Sequence, residues 1–221
     1  MINLYRYMGN NFGDNLSTYI TRKISGQEVV CPPKGEPIYA TIGSILEWIP
    51  PNSIVWGTGY MREHSRVPKR AFTIHAVRGK LTRELLIKQG FECPEVYGDP
   101  ALLCPRYYTP KTIKQYTLGV IPHYIDVDLV DEYRGNPETL IINMRDSVEK
   151  VIDDIHSCER ILSSSLHGLI AADAYGIPAK WIKLSDRVVG NGFKFRDYFS
   201  VRGEVDLDKL MGVCPFKEEN S

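Results

Sequence analysis

The sequence predicts an α/β protein made of two Rossmann-like units with parallel sheets facing each other. Three observations carry this. Short β-branched runs alternate with helically spaced segments along most of the chain. The pattern halts in the tyrosine-, proline- and lysine-rich stretch Cys104 to Gln115, which reads as a linker, and then restarts. In each half, a polar or glycine-bearing loop directly follows an apolar strand, which is how α/β proteins present ligand loops. The boundaries that follow are an N-terminal domain over 1–110 and a C-terminal domain over 111–221.

The elements run as follows. Ile2 to Tyr7 is a first strand, Gly9 to Asn15 a turn cluster with two glycines and three asparagines, and Leu16 to Ser25 a helix. Pro37 to Ile42 and Ser53 to Trp56 are buried strands, the second running into Gly57-Thr58-Gly59. Phe72 to Val77 is a strand. Lys80 to Gln89 is a helix, spaced through Leu81, Leu85 and Leu86 and stopped at Gly90. Glu95 to Tyr97 is a brief strand before Gly98-Asp99-Pro100. In the second half, Leu118 to Ile121, Leu140 to Asn143, Arg160 to Leu162 and Ala179 to Ile182 are strands. The helices there are Asp146 to Cys158, with Val148, Val151, Ile152 and Ile155 on one face, and Leu166 to Tyr175, closed by Gly176-Ile177-Pro178.

Composition narrows the function classes. Among 221 residues, 27 Lys plus Arg balance 27 Asp plus Glu, so no global basic field points to nucleic acid. The local cluster from Arg62 to Arg83 suits a small anion, a membrane headgroup or a solvated face. Five cysteines without a C-x-x-C spacing imply neither a disulfide framework nor a zinc ribbon, and read as reduced thiols. The N-terminus does not read as a signal peptide, and no run approaches the roughly 20 apolar residues of a membrane span. The expected location is cytoplasmic, with at most a peripheral encounter with the inner face of the membrane.

The most informative stretch is Ile161 to Pro178. It reads as strand, hydroxyl-rich turn (Ser163, Ser164, Ser165) and short helix, with His167 in the first turn. A helix N-terminus presents unpaired N–H groups to an anion, and an imidazole beside it can move a proton near neutral pH.

Several pieces, in this order and spacing, resemble the polysaccharide pyruvyl transferase family. They are Asn11-Phe12-Gly13-Asp14, Gly57-Thr58-Gly59, Val77-Arg78-Gly79-Lys80-Leu81-Thr82 with Leu85 and Gly90, and Tyr97-Gly98-Asp99-Pro100-Ala101-Leu102-Leu103. Ile121-Pro122-His123-Tyr124 and the Ser163 to Pro178 run complete the set. The resemblance covers roughly residues 1–200. It implies a fold like that of GT-B glycosyltransferases, two Rossmann-like domains across a cleft, with the acceptor on the N-terminal side and phosphoenolpyruvate on the C-terminal side. It implies transfer of the pyruvyl skeleton of phosphoenolpyruvate to two hydroxyls of a sugar in a cell-surface polysaccharide or its lipid-linked precursor. The product is a cyclic ketal and the leaving group is phosphate, with no cofactor beyond the donor substrate. Two features depart from the family. Little lies between Tyr124 and Thr139, and Arg78 is followed by Gly79 where the family often has aspartate, leaving the arginine without that partner.

On this reading, His167 is the general acid/base or a cationic contact to phosphate. Arg78, at a strand end, grips a carboxylate, and Arg187, where many members carry lysine, is a second clamp. Ser163, Ser164 and Ser165 offer hydroxyls or N–H groups to the anion, one of them serving as an N-cap. Asn11 and Asp14 bond acceptor hydroxyls, or alternatively bond their own turn. Gly13, Gly57 and Gly59 let backbone approach a ligand, and His123 faces the cleft or is a satisfied buried histidine. Two other readings stand beside the transferase. One is a nucleotide-sugar glycosyltransferase using Asp126 and Asp128 on a metal. The other is a non-catalytic carbohydrate- or phosphate-binding descendant.

Overall fold

The computed structural model describes residues 1–67 and 72–216. Lys69 and Arg70, part of the basic cluster noted above, lie outside the described residues. The chain forms two compact units. Unit 1 comprises Met1–Gly9, Leu16–Pro100 and Gly190–Ser221, and unit 2 comprises Asn10–Asn15 and Ala101–Val189.

In unit 1, β1 (Ile2–Leu4) leads to α1 (Phe12–Ser25), then β2 (Val29–Val30), β3 (Ile38–Ala40), β4 (Ile54–Trp56), β5 (Thr73–Ala76) and α2 (Lys80–Lys88). The five strands form one parallel sheet in the order β2-β1-β3-β4-β5. The expected strand at Glu95 to Tyr97 is reduced to a single parallel bridge between Val77 and Tyr97. Gly90 takes φ +84 and its N–H reaches the Ile87 carbonyl, so α2 stops where a residue with a Cβ would be strained. Ala40, Leu46, Ile49, Val55, Tyr60, Val77, Leu86 and Phe193 form the unit 1 core.

Unit 2 follows with β6 (Tyr116–Ile121), β7 (Thr139–Ile141), α3 (Val148–His156), β8 (Cys158–Ser163), α4 (Leu166–Ala174) and β9 (Ala179–Trp181). Its four strands are parallel in the order β7-β6-β8-β9. Helix α3 buries the expected face, Val148, Val151, Ile152 and Ile155, each worth about 1.5–3 kcal/mol when fully buried. Ser147 caps it by accepting from Lys150 N. Gly168 of α4 admits no side chain: a Cβ there would lie 2.6 Å from Ser163 Oγ and 2.9 Å from Ile121 Cγ2. That lets α4 press directly onto the ends of β6 and β8.

The structure departs from the expected elements in three places. Helix α1 starts at Phe12 rather than Leu16, because Asn11 accepts from Asp14 N and the Phe12 side chain is fully buried. Its first turn belongs to unit 2, where Phe12 N donates to Met144 O. The stretch Cys104 to Gln115 is not a free linker. Pro100–Arg106 is 3₁₀ helix, and beyond it Tyr108 Oη donates to Asp153 while Lys114 Nζ bonds the carbonyls of His156 and Cys158. Finally, α5 (Phe193–Phe199) and α6 (Leu207–Gly212) lie within 111–221 but fold into unit 1. Phe193 joins the unit 1 core, and Trp56 Nε1 donates to the Leu210 carbonyl.

All five cysteines are free thiols. Burial pushes the Cys93 and Cys158 thiols up to about 11, which makes both poor nucleophiles at neutral pH. No helix among the described residues is long and apolar enough to cross a membrane.

Candidate functional site

In both sheets the chain first adds a strand on one side and then crosses to the other. In unit 2 this reversal falls between β6 and β8, and a parallel α/β sheet holds its ligand outside the carboxyl ends of the strands at such a point. The loop after β6 carries His123, and the turn after β8 carries Ser163 to His167.

Hydrogen bonds join these two loops. Ser164 Oγ accepts from His123 N at 2.7 Å, and Ser164 N donates to Ile121 O. Ser163 is buried, and its one hydroxyl proton goes to the Ser165 carbonyl at 2.8 Å, with the Ile121 carbonyl at 3.3 Å as the alternative acceptor, while its oxygen accepts from Ser165 N. Ser163 and Ser164 therefore shape the turn rather than offering hydroxyls to a ligand. Ser165 is the N-cap residue of α4, yet its side chain makes no capping bond. Its hydroxyl and the amino end of the helix are what this turn presents to an anion. His123 stands beside them with Nδ1 accepting from Ile125 N at 3.4 Å and its ring against Tyr124.

His167 lies in the first turn of α4, half-buried. The Asn11–Asp14 segment passes against its ring: a Cβ built on Gly13 would sit 2.1 Å from His167 Nδ1. Gly13 thus makes room for the imidazole, not for a ligand. Asn11 and Asp14 bond each other, Asn11 Nδ2 to Asp14 Oδ2 and Asp14 N to Asn11 Oδ1, so both close the first turn of α1. Replacing Gly13 with alanine is expected to push the His167 ring out of place. Activity should fall with little change in melting temperature, and an unchanged kcat would mean the ring position does not matter.

Arg187 follows β9 and bonds the loop after β6, the loop that carries His123. It is about half exposed, and its Nη1 donates to both oxygens of Asp128, at 2.7 and 2.8 Å, and to Ile125 O. The guanidinium holds the Asp128 carboxyl below its ordinary range. The neighbouring Asp126 accepts from Ser185 Oγ, so both acids of the Asp-x-Asp are engaged by the loop after β9. An Arg187→Ala variant is expected to keep the KM for phosphoenolpyruvate unchanged, and a raised KM in steady-state kinetics would restore the clamp.

The other expected residues belong to unit 1. Arg78 follows β5 and is completely buried. Its Nε donates to Asp197 Oδ2 at 2.9 Å, Nη1 to Ser44 Oγ at 2.6 Å and Nη2 to the Tyr60 carbonyl at 2.7 Å. Asp197, from α5, also accepts from Thr82 N and Thr82 Oγ1. All three guanidinium nitrogens are spent inside the protein, so Arg78 is a structural ion pair and not a substrate clamp. The aspartate missing after Arg78 is supplied by Asp197, and Gly79 is the reason it fits: a Cβ there would meet the Asp197 carbonyl oxygen at 1.9 Å. Gly59 and Gly57 serve the same packing. A Cβ on Gly59 would lie 2.6 Å from Arg78 Nη2, and one on Gly57, at φ +97, would lie 2.2 Å from Pro100 Cδ. Asp197, Ser44 and Tyr60 escaped the sequence reading. The only local signal for Asp197 is an acid set in the aromatic run Phe193 to Phe199.

Fold and site together define a class: an α/β protein of two parallel-sheet units, with a histidine beside a helix N-terminus at the reversal point of the second sheet. Residues 41–186 match the model of the family described as polysaccharide pyruvyl transferase, and the chain belongs to that family. The chain is also 30% identical, over 95% of its own length and 77% of the relative's, to "Uncharacterized protein L143" of Acanthamoeba polyphaga mimivirus. No solved structure matches the chain.

Proposed function

We propose that this protein transfers the pyruvyl group of phosphoenolpyruvate to two hydroxyls of one sugar in a polysaccharide or its lipid-linked precursor, forming a cyclic ketal. Family membership supports polysaccharide pyruvyl transfer in general. The observation that carries the finer reading is His167, fixed against Gly13 in the first turn of α4 beside Ser165.

The donor bears a phosphate and a carboxylate on a three-carbon skeleton. Its phosphate suits the amino end of α4, where the Ser165 hydroxyl and backbone N–H groups can donate to it. His167, as imidazolium, protonates the methylene carbon, which makes the central carbon electrophilic. A sugar hydroxyl adds there, and the neutral imidazole accepts its proton. The bond from the central carbon to the phosphate oxygen then breaks, and the second hydroxyl adds. Of the two hydroxyl protons, one ends in the new methyl group and the other on the departing phosphate, so no redox partner is needed.

The test is to incubate the purified chain with phosphoenolpyruvate and a panel of hexosides and polysaccharide acceptors. Phosphorus NMR follows phosphate and proton NMR follows the ketal methyl signal. Phosphate release that depends on an acceptor, with a new acid-labile methyl signal, is the expected result. Binding without turnover on every acceptor, or turnover only with nucleotide sugars and a divalent metal, would overturn it.

A further inference from the structure

The donor of the proposed reaction carries a carboxylate as well as a phosphate. The two arginines expected to clamp it are held elsewhere, Arg78 by Asp197 and Arg187 by Asp128. Unit 2 has a further arginine, Arg145, in the loop between β7 and α3. It is exposed, and among the described residues its guanidinium makes no hydrogen bond or ion pair. The acid beside it in sequence, Asp146, accepts instead from Asn143 Nδ2 at 2.8 Å. The loop itself is fixed, because Arg145 N donates to Asn143 Oδ1 and Asp146 N to the Asn143 carbonyl.

A closed circuit of contacts sets this arginine at the rim of the site that holds His167. Its Cζ lies 6.0 Å from the centre of the Tyr124 ring, within reach of a cation–π contact. The Tyr124 ring lies 4.5 Å from the His123 ring, and His123 N donates to Ser164 Oγ at 2.7 Å. Ser164 leads through Ser165 to His167, whose ring packs against Gly13. Phe12, next to Gly13, donates from its N to the Met144 carbonyl at 2.6 Å, and Met144 precedes Arg145. Every member of the circuit belongs to unit 2. It crosses the carboxyl ends of β7, β6 and β8, which are neighbours in the sheet, so β7 and β8 stand two strand spacings apart, about 10 Å. The guanidinium lies over a side chain of the β6 loop, the middle of these three. Contact with a ring engages the face of a guanidinium and leaves its N–H edges open to grip a carboxylate with two bonds.

We propose that Arg145 binds the carboxylate of the donor while the amino end of α4 takes its phosphate. The assignment rests on the pyruvyl-transfer reading for the identity of the donor. It adds a substrate-binding residue to that site and fixes the donor at both ends beside His167.

The test is isothermal titration calorimetry of the full chain with phosphoenolpyruvate and with vinyl phosphate, which is the same molecule without its carboxylate. Arg145→Met should weaken phosphoenolpyruvate binding by about 10- to 100-fold, the range for hydrogen bonds to a charged group, and change vinyl phosphate binding by less than about twofold. Its melting temperature should match the parent's, since the side chain is exposed. Arg145→Lys should recover part of the loss, because it restores the charge without the fork. In turnover assays the Arg145→Met loss should appear as a raised KM for phosphoenolpyruvate. An equal loss for both ligands, or no loss for either, overturns the assignment and leaves pyruvyl transfer standing. Phosphoenolpyruvate held through Arg145 with no ketal formed on any acceptor upholds the assignment and overturns the transfer. A parent protein that does not bind phosphoenolpyruvate overturns both.

Discussion

Replacing His167 with glutamine is expected to lower turnover by about 10²–10⁴-fold, the range for losing a positioned acid/base group. Glutamine keeps a comparable length and hydrogen-bonding capacity, so α4 and the Gly13 contact should survive. Circular dichroism and melting temperature should match the parent. The loss should fall on kcat, because proton transfer to the methylene carbon and from the sugar hydroxyl occurs in the chemical step. A purely electrostatic contact to phosphate would instead raise KM for phosphoenolpyruvate and leave kcat nearly intact. Full turnover in the variant would remove His167 from the mechanism and return the helix turn to a structural role.

Replacing Asp197 with alanine is expected to cost about 3–5 kcal/mol of stability, because it strands the buried Arg78 guanidinium without its carboxylate. Two further donors, Thr82 N and Thr82 Oγ1, lose their acceptor at the same time. Equilibrium denaturation should show a lower midpoint with the slope preserved. Exchanging both members of the pair for apolar residues, Arg78→Met with Asp197→Leu, should cost less than the single change. Both charges of the pair are then gone, and neither is left without the other. Were Arg78 instead a substrate clamp, Asp197→Ala would leave the denaturation midpoint in place and raise a KM.

The architecture was readable because repeating patterns fix it. In α3, Val148, Val151, Ile152 and Ile155 recur at helical spacing and all are buried. The serine turn into α4 was readable for the same reason: an apolar strand, three hydroxyls and an apolar helix follow one another without interruption. Helix α5 was not readable. Phe193, Lys194, Phe195, Asp197 and Tyr198 are all buried, so no polar face marks a period. Nor could the residues after Arg78 reveal its partner, which lies 119 positions along the chain.

The sequence by itself determined two parallel α/β units, the family, and the loop that holds His167, because those depend on local order and spacing. Only the tertiary structure decided which charges are spent. Arg78 and Arg187 look alike as cations near strand ends, but one is locked in a buried ion pair and the other is held by Asp128 at the surface. The physical reason is that a charge is satisfied by whatever the fold brings within about 3 Å of it, and that distance is set by packing between segments far apart in the chain.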